Sequence, residues 1–383
     1  MDESEQQQGS LGATCARSSR TGLEEREAVE RHLRENAGGY WPGLAKVGAI
    51  TVTRVQERSS ARLYWYRIDL SSGPRYVVIK VPGNPADVMT HSDHRRPRLA
   101  PPPDLKTKYA REHQALELLN GHFTALADPR FNAVPILDAV ADLRAIVMEE
   151  LAGIGMNRLF MQLARLHPRR RTALLRRAVE NTGAWLREYH QLDLAGATTR
   201  HSQRADVVDL LAQYCDHLAT AVGDTDLLSL FQLLRRAAER KLPAELPLAL
   251  NHGDFAMRNV LVSPEGRVSV FDTLALWRAP MYEDIAKFLL ALRFVRPQVY
   301  SHGLAFGERQ LLDAEHWLLA GYFRDAPIPM ASIRIYRLML LLDKWSFELA
   351  LPSSGPRIVF RARQRLANSW FKAQARHLYA ELR

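Results

Sequence analysis

The stretch from Leu250 to Asp272, LNHGDFAMRNVLVSPEGRVSVFD, constrains the fold more than any other part of the chain. A carboxylate, Asp254, lies five positions before a carboxamide, Asn259, and an apolar triplet, Val260 to Val262, follows at once. Pro264, Glu265 and Gly266 then read as a tight turn, and Val268, Val270 and Phe271 lead to a second carboxylate, Asp272. Turn residues between two short apolar runs predict a loop, a strand, a turn and a returning strand. Such a ribbon holds three oxygen-bearing side chains at one edge. One acid free to accept a proton, beside an Asn and another acid able to hold Mg²⁺, is a set of groups suited to phosphoryl transfer.

Around this ribbon the chain is long and apolar enough for two to three domain-sized units: it has 383 residues and 47% hydrophobic content, which excludes general disorder. Its two cysteines, Cys15 and Cys215, are too far apart in sequence to suggest a disulfide framework or a CxxC metal site, which fits a reducing cytosol. The start, MDESEQQQGS, lacks the basic and apolar segments of a secretory signal, and runs such as Leu338 to Leu342 are too short to span a bilayer. The expectation is a cytoplasmic protein. A net charge of +10 favours an anionic partner: nucleotide phosphates, an acidic substrate, an anionic membrane face or nucleic acid. The basic residues, such as Arg165, Arg169 to Arg171, Arg176 and Arg177, are scattered through helical segments without interleaved aromatics, which disfavours nucleic acid.

Along the chain, residues 1–22 read as a polar tail and 23–36 as a charged helix ended by Gly38 and Gly39. From Ile50 the pattern switches to period two, and ITVTRV, ARLYWYRIDL and RYVVIKVP predict three antiparallel strands. Lys80 ends the third; a lysine inside an apolar strand needs an anion or an exit to solvent. Residues 83–105, rich in Pro, Arg and His, form a long insertion, and the helix after it is expected to close at Gly121. AVPILDAV and RAIVMEEL predict two further strands. From residue 157 onward the pattern is mainly helical, with one or two helices over 205–242 and more from about 282 to the end.

The ribbon resembles the catalytic loop and metal-binding Asp of the protein-kinase-like fold. It is closer to the aminoglycoside phosphotransferase and choline kinase family, on His252, Gly253 and Asp254 in place of His-Arg-Asp, and on Phe271, Asp272 and Thr273 in place of Asp-Phe-Gly. REHQALELL, LREYHQLDL and PMYEDIA add weaker matches, and the likeness covers roughly residues 45–350. It implies an α+β, two-lobed architecture: an antiparallel N-lobe over 23–147 and a helical C-lobe over 148–383. It implies an enzyme that moves the γ-phosphoryl of ATP, with GTP left open, to a hydroxyl of a small molecule (a sugar, an aminoglycoside-like or an amino-alcohol compound) in the presence of Mg²⁺. Asp254 would be the base, and Asn259 and Asp272 would hold the metal. Lys80 would meet the α- and β-phosphates and pair with Glu112, with Glu117 as the alternative, and Glu149 to Leu151 would form the adenine hinge.

Arg258 is left with two roles, steadying developing charge or an anionic substrate, or pointing to solvent. His252, His190 and Asp284 read as structural. The expected phosphate loop, QERSSAR at 56–62, contains no glycine, so Ser59 and Ser60 would have to present their N–H groups and hydroxyls instead. That departure keeps a second class in view, a nucleotide-binding pseudokinase acting as a scaffold. The basic charge favours an anionic acceptor or a saccharide over a cationic aminoglycoside.

Overall fold

Alternation of small or aromatic apolar residues with polar ones builds the first sheet. In a computed structural model, described for residues 22–41, 43, 47–58, 61–83, 96–165, 169–223, 225–294, 306–350 and 357–382, the chain divides into two compact units. The first takes the described residues up to 83 together with Pro135–Glu150. The second takes those from 96 to Val134 and from Leu151 onward.

In the first unit, helix α1 (22–36) is followed by strands β1 (Val47–Arg58), β2 (Ala61–Leu70), β3 (Gly73–Pro82), β4 (Ile136–Val140) and β5 (Ala145–Glu149). They form one antiparallel sheet in the order β1-β2-β3-β5-β4. Tyr64, Tyr66 and Ile68 of β2 and Val77, Ile79 and Val81 of β3 share one face with Val29 and Leu33 of α1 in a single core. The alternation is what a half-buried strand needs, since successive side chains point to opposite faces. Lys80 lies on the other face, opposite Leu63 and Ile146, and is buried. Asp138 of β4 accepts from His32 of α1 at 2.8 Å and from Tyr40 at 3.2 Å, which ties the helix to the sheet edge.

The second unit begins with the segment 96–104 and helix α2 (Leu105–Leu126), whose Asp104 cap accepts from the Thr107 amide at 2.9 Å. This helix does not close at Gly121. It runs on to Leu126 and ends where Ala127 turns left-handed at φ 49°, because Phe123 is carried into the core one turn beyond the glycine. Then come strand β6 (Ile154–Gly155) and helices α3 (Met156–Arg165), α4 (Arg169–Tyr189), α5 (Arg204–Val222) and α6 (Thr225–Lys241), with a short strand β7 (Thr198–Thr199) after α4. Strands β8 (Leu248–Leu250), β9 (Val260–Val262), β10 (Val268–Val270) and β11 (Trp277–Pro280) follow. Helices α7 (Tyr282–Arg293), α8 (Glu308–Phe323), α9 (Met330–Ala350) and α10 (Arg357–Ala380) complete the described chain.

Two glycines let α4 and α8 touch backbone to backbone. A Cβ on Gly183 would lie 2.1 Å from the Leu318 carbonyl oxygen, and one on Gly321 would lie 2.0 Å from that of Glu180. Between α7, α8 and α9, Arg293 and Arg337 share the Glu315 carboxylate at 2.8–3.0 Å, so the charges buried there are paired. Among the described residues no helix is long and apolar enough to cross a membrane.

Candidate active site

The hairpin expected from the sequence is present. Val260 faces Val270, Leu261 faces Ser269 and Val262 faces Val268, with β6 as a third strand beyond β9. Its turn closes by Gly266 N–H donating to Ser263 O at 3.0 Å, with Gly266 at φ 86°, a conformation open to glycine at no steric cost. At the open end of the ribbon the amide of Phe271 donates to Asn259 O at 3.1 Å, so Asn259 and the step into Asp272 lie side by side. Asp272 itself sits at φ 65°, left-handed for a side-chain-bearing residue.

Before the hairpin, β8 leads into the loop His252–Asp254 and a one-turn helix, Met257–Asn259. The Asn259 side chain donates through Nδ2 to the Asp254 main-chain oxygen at 2.8 Å and to Asp254 Oδ2 at 2.9 Å. That double contact fixes the carboxylate from below. The other oxygen, Oδ1, accepts from the Arg258 guanidinium, and the Lys287 ammonium lies 3.9 Å from it while donating to the Gly253 carbonyl. Arg258 is therefore exposed, yet its charge folds back onto Asp254.

The loop rests on a buried acid. Asp284, at the start of α7, accepts from the amides of His252 at 2.7 Å and Gly253 at 3.2 Å, and His190 Nε2 lies 3.3 Å from it. His190 Nδ1 in turn meets the Tyr322 hydroxyl at 2.7 Å. Burial alone would push the Asp284 carboxyl up, but the His190 contact and the His252 amide hold it below the usual carboxylate range. Burial pulls His252 down, against the pull of Asp284, Asp254 and Asp272, so its ring is neutral among three acids. Its Nδ1 accepts from the Asp254 amide at 3.3 Å. Trp185 stacks between Phe123 and Tyr189, and Phe255 lies parallel to it, forming an aromatic floor under His252. The Tyr189 hydroxyl meets Thr273 Oγ1 at 2.8 Å, which anchors the residue after Asp272.

Asp254, Asn259 and the backbone leading to Asp272 thus come together as the spacing implied. Glu112 is buried on α2. The amides of Glu149 and Glu150 are both spent inside the first sheet, on Pro135 O and Tyr76 O at 3.0 and 2.9 Å. Ser59 and Ser60, and residues 84–95 of the insertion, lie outside the described residues. The sequence reading gives Lys287 no role, and takes Thr273 only as the residue after Asp272 in the motif. Lys287 carried a readable signal, since it lies three positions after Asp284 and so on the same face of a helix.

The model of the phosphotransferase enzyme family matches residues 52–326, most of the chain. The chain belongs to the phosphotransferase enzyme family. Membership makes it an enzyme, a small-molecule kinase by class. A comparison with curated protein sequences gives no significant match. Among solved structures, this phosphotransferase is similar to the ADP-bound aminoglycoside phosphotransferase APH(2'')-Ib, with 13% identity over 92% of this chain and 98% of that one and a TM-score of 0.50. The same figures hold for a thermostable mutant of APH(4)-Ia in a ternary complex with ADP and hygromycin B. Choline kinase LicA from Streptococcus pneumoniae matches at 12% identity over 92% of this chain and 99% of that one, with a TM-score of 0.47. At these identities the likeness concerns the fold, a kinase-like antiparallel sheet followed by a helical region.

Proposed function

We propose that this phosphotransferase moves the γ-phosphoryl group of ATP to a hydroxyl of a small molecule, with Asp254 as general base. The observation that carries the reading is the double hold of Asn259 on Asp254, at 2.8 and 2.9 Å, on a loop pinned by Asp284. Phosphoryl transfer asks for positioning and charge stabilisation more than covalent help, and a fixed, solvent-reachable carboxylate supplies the first. Asp254 takes the hydroxyl proton as the acceptor oxygen bonds to the γ-phosphorus, and the bond to the bridging oxygen breaks to leave ADP. Arg258 steadies negative charge on the transferring group.

Lys80 and Glu112 serve the nucleotide phosphates, with Ser59 and Ser60 in support, and the main chain at Glu149 to Leu151 receives the base. With the Glu149 and Glu150 amides already engaged, Leu151 supplies the free donor in that reading. The ADP in the two similarly folded structures supports a nucleotide co-substrate, and ATP against GTP is settled by comparing turnover with each.

Mg²⁺ fits the donor set. With Asn259 Nδ2 spent on Asp254, its Oδ1 is left for a cation, and Asp272 adds a hard anionic oxygen. Among the described residues no three His, Cys, Asp or Glu side chains gather as a metal-holding group, so in this reading phosphate oxygens would have to complete the shell. When bound, the ion would neutralise phosphate charge.

The test is Mg²⁺-dependent ATP turnover over a panel of hydroxyl compounds, wild type against Asp254→Ala. Loss of turnover with nucleotide binding retained is the expected result, and unchanged turnover in the variant sinks the assignment. Nucleotide binding with no wild-type turnover on any alcohol would return the protein to the scaffold class.

A further inference from the structure

Three acids of the second unit, Glu283, Asp284 and Asp343, are each occupied by partners within the chain. Glu283, buried beside Asp284, is held by Arg200 at 2.6 Å. Asp343 on α9 accepts from Arg96 at 3.0 Å and from the Tyr214 hydroxyl at 2.7 Å. Asp284 is consumed by two amides and His190. A cationic acceptor would therefore find each of these three carboxylates already engaged.

Asp254 shows the opposite imbalance. Its Oδ1 carries both the Arg258 guanidinium and, 3.9 Å away, the Lys287 ammonium, so two cations converge on one carboxylate oxygen. Lys287 is not spread over solvent. Its donation to the Gly253 carbonyl holds it at the loop, and its side chain is still 30% accessible, against 57% for Arg258. Two like charges this close repel unless anions share them, and a hydroxyl arriving at Asp254 does not supply the missing one. An oxyanion on the acceptor does, in the charge-assisted geometry that Arg and Lys favour.

We propose that Lys287 and Arg258 form a two-cation seat for an oxyanion carried by the acceptor, so that the substrate class is hydroxyl compounds bearing a phosphate or carboxylate. The proposal rests on the phosphotransfer reading for the word acceptor, while the anion seat itself does not depend on turnover. It separates this chain from enzymes whose acceptors are polycations.

The seat is tested without nucleotide by titrating inorganic phosphate, acetate and methylammonium into the full chain and following binding by calorimetry. Phosphate or acetate binding, with none for methylammonium, is expected, and which anion binds tighter identifies the group. Lys287→Gln should weaken that binding about tenfold or more, Lys287→Arg should restore most of it, and Arg235→Gln, at an exposed position on α6, should leave it in place. Binding that ignores Lys287→Gln, or that falls equally with Arg235→Gln, overturns the proposal, because the anion then does not sit at Lys287.

Turnover gives the second arm, with glucose, glucosamine, glucuronate and glucose 1-phosphate as acceptors. An anionic acceptor whose KM rises in Lys287→Gln while the KM for ATP holds supports the seat. Preferred use of the amine overturns it and leaves phosphotransfer standing. Anion binding at Lys287 with no turnover on any alcohol removes the phosphotransfer reading and leaves the seat.

Discussion

Asp284 and Asp254 both touch the loop His252–Asp254, and they are held in opposite ways. Asp284 is fully buried and its carboxylate accepts from two main-chain amides, donors fixed by the course of the loop itself. Asp254 is partly exposed and takes side chains, two of which are charged. The first arrangement fixes a shape. The second leaves a carboxylate oriented by Asn259 yet able to exchange partners, which is what a group that must receive a proton requires. In the proposed reading, one acid holds the loop in shape and the other serves as the base.

That contrast breaks most directly at Asp254. Asp254→Asn keeps the shape and an acceptor for Asn259 but removes the base, so turnover should fall about 10²- to 10⁴-fold while the melting temperature stays within a degree or two. A comparable fall in melting temperature would show that Asp254 is scaffold as well. Asp284→Ala should do the reverse in kind. It leaves two buried amides and His190 without an acceptor, costing about 3–5 kcal/mol by denaturant unfolding, and activity falls with the fold. A stable, active Asp284→Ala would mean the loop holds its shape without its buried anchor.

Much of this was legible in the sequence, for a physical reason. The hairpin reads from local chemistry alone: Gly266 at the turn, Val260, Val262, Val268 and Val270 on the strands, and side chains at the ends whose positions follow from pairing register. Period two at Ala61–Leu70 and at Gly73–Pro82 likewise announced the sheet. Contacts made by tertiary placement were not legible. Nothing local says that Lys287 will turn to Gly253, that Tyr322 will back His190, or that Trp185 will floor the loop. Gly121 misled because helix propensity is a weak term, about 1 kcal/mol, and burying Phe123 outweighs it.

The helices beneath His190 sharpen the same contrast at lower cost. Gly183 and Gly321 let α4 lie against α8, and α4 carries Trp185 and Tyr189 to the loop while α8 carries Tyr322. Gly183→Ala would drive a Cβ into a carbonyl 2.1 Å away, so one helix has to shift. A loss of about 1–3 kcal/mol in thermal or denaturant unfolding is expected, with reduced activity in the surviving fold because Tyr189 and His190 move with α4. An unshifted melting curve would show that the two helices are not held at this distance.

The smallest effect lies in pH, and it separates the loop's anchor from its surroundings. His201 accepts from Arg200 at 3.1 Å through Nδ1, so it is neutral there, and burial together with the Arg200 charge pushes it down to about 4. An unfolded histidine protonates near 6.5, so between roughly pH 6.5 and 4 the unfolded chain binds protons that the folded chain refuses. Stability is therefore full above about 6.5 and is lost progressively on acidification. Discounted for partial exposure, the His201 share is about 1–2 kcal/mol, or about 2–4 °C in melting temperature. His201→Asn suits the left-handed backbone there, φ 51°, and should remove that share. The acid sensitivity that survives in His201→Asn belongs in part to His252, which burial also holds neutral. If the two proteins lose stability equally between pH 7 and 5, His201 is not the group that titrates, and the sensitivity sits at the loop itself.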